Sequence, residues 1–452
     1  MRKTNCRNKS GPISLSRRTF MMGAAASVGF PYVVPSSSLG RDGNLPPSER
    51  ITIGVFGVGN RGSSSLQAMR PLPDHQVLAI ADCRRDRAEL AQRNVNEFYA
   101  QRIGKQQYTG CEIYNDFHDV LQRDDIDAIW GCIPDHWHGV VYARTIEAGK
   151  DLYGEKPNTR WIEEGIRIRD MVRRYGCVFQ TGTQQRSSTH FRHACELARN
   201  GYLGKVHTIH VGVPGGRTYP VEAPSDPPPG FDYDFWSGPA PLIPFDTKRC
   251  EWLAMYMISH YCAGFITNWG VHHLDIAGWG CPEVFEEPFE IQGTGVLPDE
   301  GMTDTWISWQ MELAWDSGLK MKFTNTGNPI PQGCKFEGDA GWVHVNRSGI
   351  WAEPTSLLNV KLKPDQLHLH ASPDYSNPYT AHTADFFRSM RTRQDPVSPV
   401  EDGQAASTIG NVADISLRLD RRLRWDPRQD RFVDDDDANQ MLSRASRSPW
   451  IM

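Results

Sequence analysis

No two of the ten cysteines, at positions 6, 83, 111, 132, 177, 195, 250, 262, 281 and 334, stand in a CxxC spacing. That excludes a zinc-knuckle or a thioredoxin-like redox motif. Several lie inside apolar runs, as Cys132 does in Ile129-Trp130-Gly131-Cys132-Ile133, and read as small buried hydrophobes. There is no run of the roughly 18 apolar residues that a membrane-crossing helix needs, so no stable membrane insertion is expected. Basic charge is also short. The formal net charge is −5, which leaves no basic face for nucleic acid. No segment repeats. What is plentiful is apolar side chain, 39% of 452 residues, enough for two domains with cores of their own.

The first residues carry a different signal. Ser16-Arg17-Arg18-Thr19-Phe20-Met21 leads into a mild apolar run, Met22 to Val34, and then into Pro35 and Ser36 to Ser38. This is the layout of a twin-arginine export leader, against the alternative of a basic tail with a chance arginine pair. Residues 1–40 are therefore read as signal peptide and linker, and the mature chain as periplasmic. The twin-arginine route carries folded proteins, which suits an enzyme that takes up its cofactor before export.

Beyond Pro46-Pro47 apolar strands alternate with helices. Ile51 to Phe56, Val77 to Ala81, Ile126 to Ile133 and Lys150 to Tyr153 read as buried strands. Ser63 to Met69, Arg84 to Tyr99 and Val140 to Ala148 read as the helices between them. Such alternation implies parallel βαβ units. From about residue 185 the rhythm becomes two-fold, in Val206 to Val213, Thr303 to Trp315, Leu319 to Phe323 and Gly341 to Val345. That is the pattern of an antiparallel sheet with one covered face. Helices are expected at Tyr379 to Met390 and Gly403 to Leu419, with the acidic run Asp434 to Asp437 capping a last one. The fold class is thus α/β: a Rossmann domain at 48–180, then at 181–452 an α+β domain with a large open, mostly antiparallel sheet.

The first strand ends in Gly57-Val58-Gly59-Asn60-Arg61-Gly62. In a strand–turn–helix context this GxGxxG is a dinucleotide-binding fingerprint. Gly57 permits the tight turn, Gly59 lets the backbone approach a pyrophosphate, and Gly62 allows close packing of helix on strand. The helix start, with Asn60 and Arg61, supplies N–H groups and positive potential for phosphate. Asp82, 25 residues beyond Gly57 at the end of the second strand, is placed to hold ribose hydroxyls. Its carboxylate would repel a 2′-phosphate, whereas Arg84 or Arg85 could bind one. NAD is favoured, with NADP the alternative.

Pro134-Asp135-His136-Trp137-His138 follows one buried strand and Glu155-Lys156-Pro157 follows the next. Together with Asn268-Trp269-Gly270-Val271-His272-His273-Leu274-Asp275, these motifs resemble the Gfo/Idh/MocA oxidoreductases, which include glucose–fructose oxidoreductase and inositol dehydrogenase. The resemblance spans the chain after residue 48. It implies that Pro134, His138 and Glu155 contact the cofactor and that Lys156 lies beside the nicotinamide, hydrogen-bonding the reacting oxygen. It also implies that His272 is the general acid/base, supported by Asn268 and by Asp275 one helical turn on. Family members commonly carry Asp where this chain has Asn268, and an amide cannot accept a proton. His273 is the second candidate, against a packing role. Histidines 136, 138, 272 and 273 raise the thought of a metal, but a site needs three or four converging groups and none is assigned.

The leading expectation is hydride transfer to or from a secondary hydroxyl of a sugar or cyclitol. The tryptophans of the second half (236, 252, 269, 306, 309, 342 and 351) suit a carbohydrate. One alternative is glycosidic cleavage through transient oxidation, with no net redox. Another is a non-catalytic sugar-binding or scaffold protein, which the retention of Lys156 and His272 argues against. A homo-oligomer, dimer or tetramer, is implied by the family likeness.

Overall fold

The computed structural model describes residues 46, 49–325 and 331–452; the leader read at residues 1–40 lies outside them. Ile51–Met452 forms one compact unit built on two sheets.

The first sheet joins β1 (Ile51–Phe56), β2 (His75–Ala81), β3 (Glu112–Tyr114), β4 (Ala128–Gly131), β5 (Asp151–Gly154) and β6 (Phe179–Thr181). Their order is 3-2-1-4-5-6 and every pairing is parallel. This is the doubly wound order, in which ligands gather at the carboxyl ends of the strands where the order reverses. Helices α1 (Asn60–Met69), α2 (Arg85–Arg102), α3 (His138–Glu147) and α4 (Ile162–Tyr175) make four of the five crossovers, and the short helix Phe117–Leu121 lies in the one between β3 and β4. β4 and β5 are buried along their whole length, which is why they read as unbroken apolar runs. β4 is shorter than its apolar run suggests, because Ile133-Pro134 leave the sheet to start a 3-10 turn. Three-residue β3 and β6 and helix α4 went unanticipated; β3 and β6 are too short to show a periodicity.

The second sheet has nine strands in the order β13-β12-β11-β7-β10-β9-β8-β14-β15. They are β7 (Val206–Val213), β8 (Phe289–Val296), β9 (Ser308–Trp315), β10 (Lys320–Asn325), β11 (Gly333–Gly338), β12 (Gly341–Asn346), β13 (Gly349–Glu353), β14 (Leu423–Asp426) and β15 (Arg431–Phe432). All neighbours are antiparallel except β7 and β10, which run parallel. On β9, Trp309, Met311, Leu313 and Trp315 are buried while Gln310, Glu312 and Ala314 face solvent, the predicted alternation.

Of the remaining helices, α5 (Thr189–Arg199), α6 (Gly270–Gly280), α7 (Pro378–Thr392) and α8 (Val400–Leu419), the middle of the bundle is α6, buried at every residue. Its residues Val271, Leu274 and Ile276 share one core with Ile409 and Val412 of α8 and with the apolar face of this sheet. Each large side chain buried there contributes about 1.5–3 kcal/mol. α7 crosses the expected boundary near residue 180. Its Phe386 lies edge-on to Trp130 and Tyr153 of the first sheet, 5.9 Å from each ring. Asp435 caps the short helix Asp436–Gln440 by accepting from the Ala438 N–H, as the acidic run predicts. Among the described residues no helix is long and apolar enough to cross a membrane.

Candidate functional site

The carboxyl ends of β1, β2 and β4 open into a cleft of about 870 Å³ that continues to α6 and to the β12–β13 turn. At one end it is lined by main chain. Gly57 has φ +77°, and a Cβ there would meet the Cys132 carbonyl oxygen at 2.4 Å. A Cβ on Gly62 would lie 2.0 Å from the Gly57 carbonyl oxygen, so only glycine lets α1 start this close to β1. α1 begins at Asn60 on Gly59, with no side chain capping it. Its first N–H groups therefore remain for an anion.

Asp82 lines the same end, and its two carboxylate oxygens accept from the backbone N–H groups of Val58 and Arg84, both at 2.8 Å. It thus braces the glycine turn against the end of β2. Burial pulls its pKa upward, while those two N–H groups oppose the shift. Arg84 does not turn into the cleft: its guanidinium pairs with Asp86 at 2.8 Å and covers the Phe231 ring. Arg87 does line the cleft at this end, with its Nη1 3.3 Å from where a Gly59 Cβ would be. A cradle that any Cβ would fill, an uncapped helix start and a carboxylate beside them fit a dinucleotide.

The middle of the cleft is set by β5. Glu155 follows it and accepts from Arg61 Nε at 2.5 Å and Gln184 Nε2 at 3.2 Å. Lys156 donates to the Asn268 carbonyl oxygen at 2.9 Å. Among the described residues no carboxylate pairs with Lys156. Burial pulls its pKa below the usual lysine value. The Lys156–Pro157 peptide is cis. Pro134 lines the wall here, as expected, but His138 does not. The His138 imidazole is fully buried, with Nδ1 2.6 Å from the Pro157 carbonyl and Nε2 3.0 Å from the Ile133 carbonyl. It ties the two strand-end loops together from behind, because α3 begins at this residue and carries its ring away from the cleft.

His272 of α6 lines the far end, 6% exposed, with its Nδ1 buried and without a hydrogen-bond partner. Burial first, then the charges of Arg347 and Lys156, hold its pKa well below 6.5, so the ring is neutral. Asn268 meets Lys156 through its main-chain carbonyl, not through its side chain; its Nδ2 is buried and unpartnered. Asp275 departs from expectation. Its carboxylate accepts from Arg186 Nε at 2.8 Å in a pair almost wholly out of water, and Asp402 takes another nitrogen of the same arginine at 2.6 Å. It anchors α6 to the loop after β6 and does not touch His272. His273 packs: its Nδ1 lies 3.2 Å from Gln185 Nε2 and its ring stacks towards Phe191, outside the cleft wall. His136 is also buried, at 2.9 Å from the Trp236 carbonyl. Among the described residues no three His, Cys, Asp or Glu side chains converge as metal ligands would.

Sequence reasoning missed Arg347, Tyr256, Tyr379 and Gln184, which also line the cleft. Of the seven tryptophans, 236, 252 and 269 line it, whereas Trp306 and Trp309 belong to the second core. No short motif marks Arg347, which reaches the site only because the β12–β13 hairpin folds over it.

Residues 51–183 match the model of the oxidoreductase family's NAD-binding Rossmann fold, and residues 216–452 match its C-terminal alpha/beta domain. Myo-inositol 2-dehydrogenase of Thermotoga maritima is 22% identical over 386 residues, which cover 82% of this chain and 98% of that protein. An alpha-N-acetylgalactosaminidase of Shewanella oneidensis is 31% identical over 146 residues, 31% of either chain. The crystal structure of aldose-aldose oxidoreductase from Caulobacter crescentus has the same fold, with a TM-score of 0.60 at 15% identity, covering 83% of this chain and 100% of that one. With both domain models matched across the described fold, the chain belongs to the Gfo/Idh/MocA oxidoreductase family.

Proposed function

We propose that this protein is an NAD-dependent dehydrogenase acting on a secondary hydroxyl of a sugar or cyclitol. The observation that carries this reading is the meeting of Lys156 and His272 in one cleft with the glycine turn. The turn, the start of α1 and Asp82 would hold the dinucleotide. When bound, the nicotinamide supplies a hydride acceptor or donor.

The chain's own groups handle the oxygen and its proton. Lys156, an ammonium largely withdrawn from water, donates to the substrate oxygen and stabilises negative charge developing there. His272, held neutral, takes the hydroxyl proton from that oxygen or returns it. Arg61 is neutralised by Glu155, so the positive charge at the reacting oxygen comes from Lys156. Trp252, exposed on the cleft wall, offers a ring to the C–H face of a sugar. Asp82 favours NAD, since its carboxylate opposes a 2′-phosphate, although Arg87 stands close enough to soften that preference.

The likeness to part of a glycosidase supports a second reading, in which oxidation is transient and a glycosidic bond is cleaved with no net redox. Export by the twin-arginine leader, which is part of the same proposal, favours any cycle that returns the cofactor to its starting state. A homo-oligomer completes the reading.

Mass spectrometry of the cofactor retained by purified protein, followed by a screen of sugars, cyclitols and aryl glycosides, tests this directly. Reduced-nicotinamide absorbance on adding a sugar or cyclitol supports the dehydrogenase. Release of free sugar from a glycoside without that absorbance supports the redox-neutral reading. Failure to bind any nicotinamide refutes both.

A further inference from the structure

Arg347 stands in the turn between β12 and β13, and the turn is pinned. Asn346 Nδ2 donates to the Gln332 carbonyl at 3.1 Å, Asn346 Oδ1 accepts from the Ser348 N–H at 2.8 Å, and the Asn346 carbonyl lies 2.9 Å from His190 Nε2. From there the guanidinium lies over the Trp269 ring, 4.8 Å from its centroid. The Trp269 ring is in turn 5.7 Å from the His272 ring. Gln185 Oε1 accepts from Arg347 Nε at 3.4 Å, while Gln185 Nε2 donates to the His272 carbonyl at 3.2 Å. The guanidinium is therefore oriented on one edge and one face. Among the described residues its two terminal nitrogens have no protein partner.

The carboxylates of the cleft are already committed elsewhere. Glu155 is held by Arg61, Glu251 by Lys248 at 3.1 Å, and Asp82 by two backbone N–H groups. Asp135 is buried on the Lys156 side, where loss of water favours its neutral form. Arg347 thus brings to the wall beside His272 a guanidinium that, among the described residues, forms no ion pair with a carboxylate. A planar guanidinium, oriented and open on its outer edge, matches the two oxygens of a carboxylate or phosphate.

We propose that the substrate carries an anionic group, a carboxylate or a phosphate, which Arg347 receives on its terminal nitrogens while the reacting hydroxyl lies against Lys156 and His272. The inference rests on the reading of Lys156 and His272 as the reacting end, and makes the substrate class an acidic sugar rather than a neutral one. An anion there also cancels the charge that most opposes proton uptake by His272 after burial itself. The dinucleotide's own phosphates belong to the glycine turn at the other end of the cleft.

Calorimetric titration of the NAD-loaded protein with paired probes tests it: D-glucuronate against D-glucose, D-galacturonate against D-galactose, and D-glucose 6-phosphate against D-glucose. At least one acid should bind about tenfold or more tightly than its neutral partner. R347M should abolish that preference and R347K restore part of it, with NAD affinity unchanged in both. The glucuronate and phosphate arms decide between the two oxyanions. No preference for any acid, a preference that survives R347M, or a loss of NAD affinity in R347M overturns the proposal. Arg347-dependent binding of an acid without reduction of the nicotinamide would leave this inference standing and refute the dehydrogenase reading.

Discussion

At the glycine turn the cleft is walled by main chain, whereas around His272 it is walled by side chains drawn from residues 156, 184, 269, 272 and 347. The first end is built from contiguous sequence: one strand, three glycines and a helix start, with Asp82 one βαβ unit away. Its specificity lies in what is absent, a Cβ at Gly57 and Gly62. The second end depends on long-range packing. Asn268 reaches Lys156 through a carbonyl, Gln185 links Arg347 to His272, and Asp275 fastens the helix that carries His272. A site built from backbone tolerates little change in shape. A site built from side chains depends on distant anchors.

The largest expected effect tests that dependence. Asp275→Ala leaves Arg186 buried with part of its counter-charge removed and should cost about 3–5 kcal/mol of stability, measured by denaturant unfolding. A loss of turnover without loss of stability would return Asp275 to a direct role beside His272. Lys156→Met should lower kcat by about 10²–10³, equivalent to about 2.7–4 kcal/mol of transition-state stabilisation, with NAD affinity unchanged. If NAD affinity falls instead, Lys156 belongs to the cofactor end.

Gly62→Ala probes the opposite end, where the added carbon meets a carbonyl oxygen. It should cost about 1–3 kcal/mol in stability and weaken NAD binding with little effect on how the loaded protein binds sugar. Unchanged NAD affinity by titration would show that the cradle is not the binding surface.

Acid pH should act on both halves of the molecule at once. His75 and His382 are held down to about 4, and His136 and His273 to about 3, each chiefly by burial. These rings stay neutral in the folded chain, while the unfolded chain protonates near 6.5. Stability is therefore complete above pH 6.5 and falls as pH drops towards 4, by up to about 1.4 kcal/mol per pH unit for each ring. Urea midpoints measured from pH 7 to pH 4 should decline steadily. A flat profile would mean that these rings protonate in place.

The contrast between the two ends also explains what the sequence made legible. The first sheet, part of the second, the glycine turn and Asp82 follow from periodicity and local motifs, because each is set within one or two adjacent elements, whereas Lys156 and His272 follow from the family resemblance that their motifs carry. Arg84 was a near miss: it opens α2, but its side chain pairs with Asp86, and Arg87, nearly one turn on, faces the cleft. His138 carried the right spacing, yet the start of α3 turns its ring behind the loops. Asp275 lies one turn from His272, but a buried arginine from another segment claims it. Arg347 had no signal, since its place depends on a hairpin closing over a helix about 75 residues away in sequence.

The central claim is direct hydride transfer between a carbinol carbon and the nicotinamide, with Lys156 and His272 serving the oxygen. A single turnover of the NAD-loaded protein with an accepted sugar deuterated at its carbinol carbons tests it most directly, because net oxidation leaves the transferred label on the nicotinamide. Deuterium recovered in the nicotinamide by mass spectrometry, with the yield lost in His272→Gln, is the predicted result. Sugar oxidised to its carbonyl product with no label in the nicotinamide would contradict it.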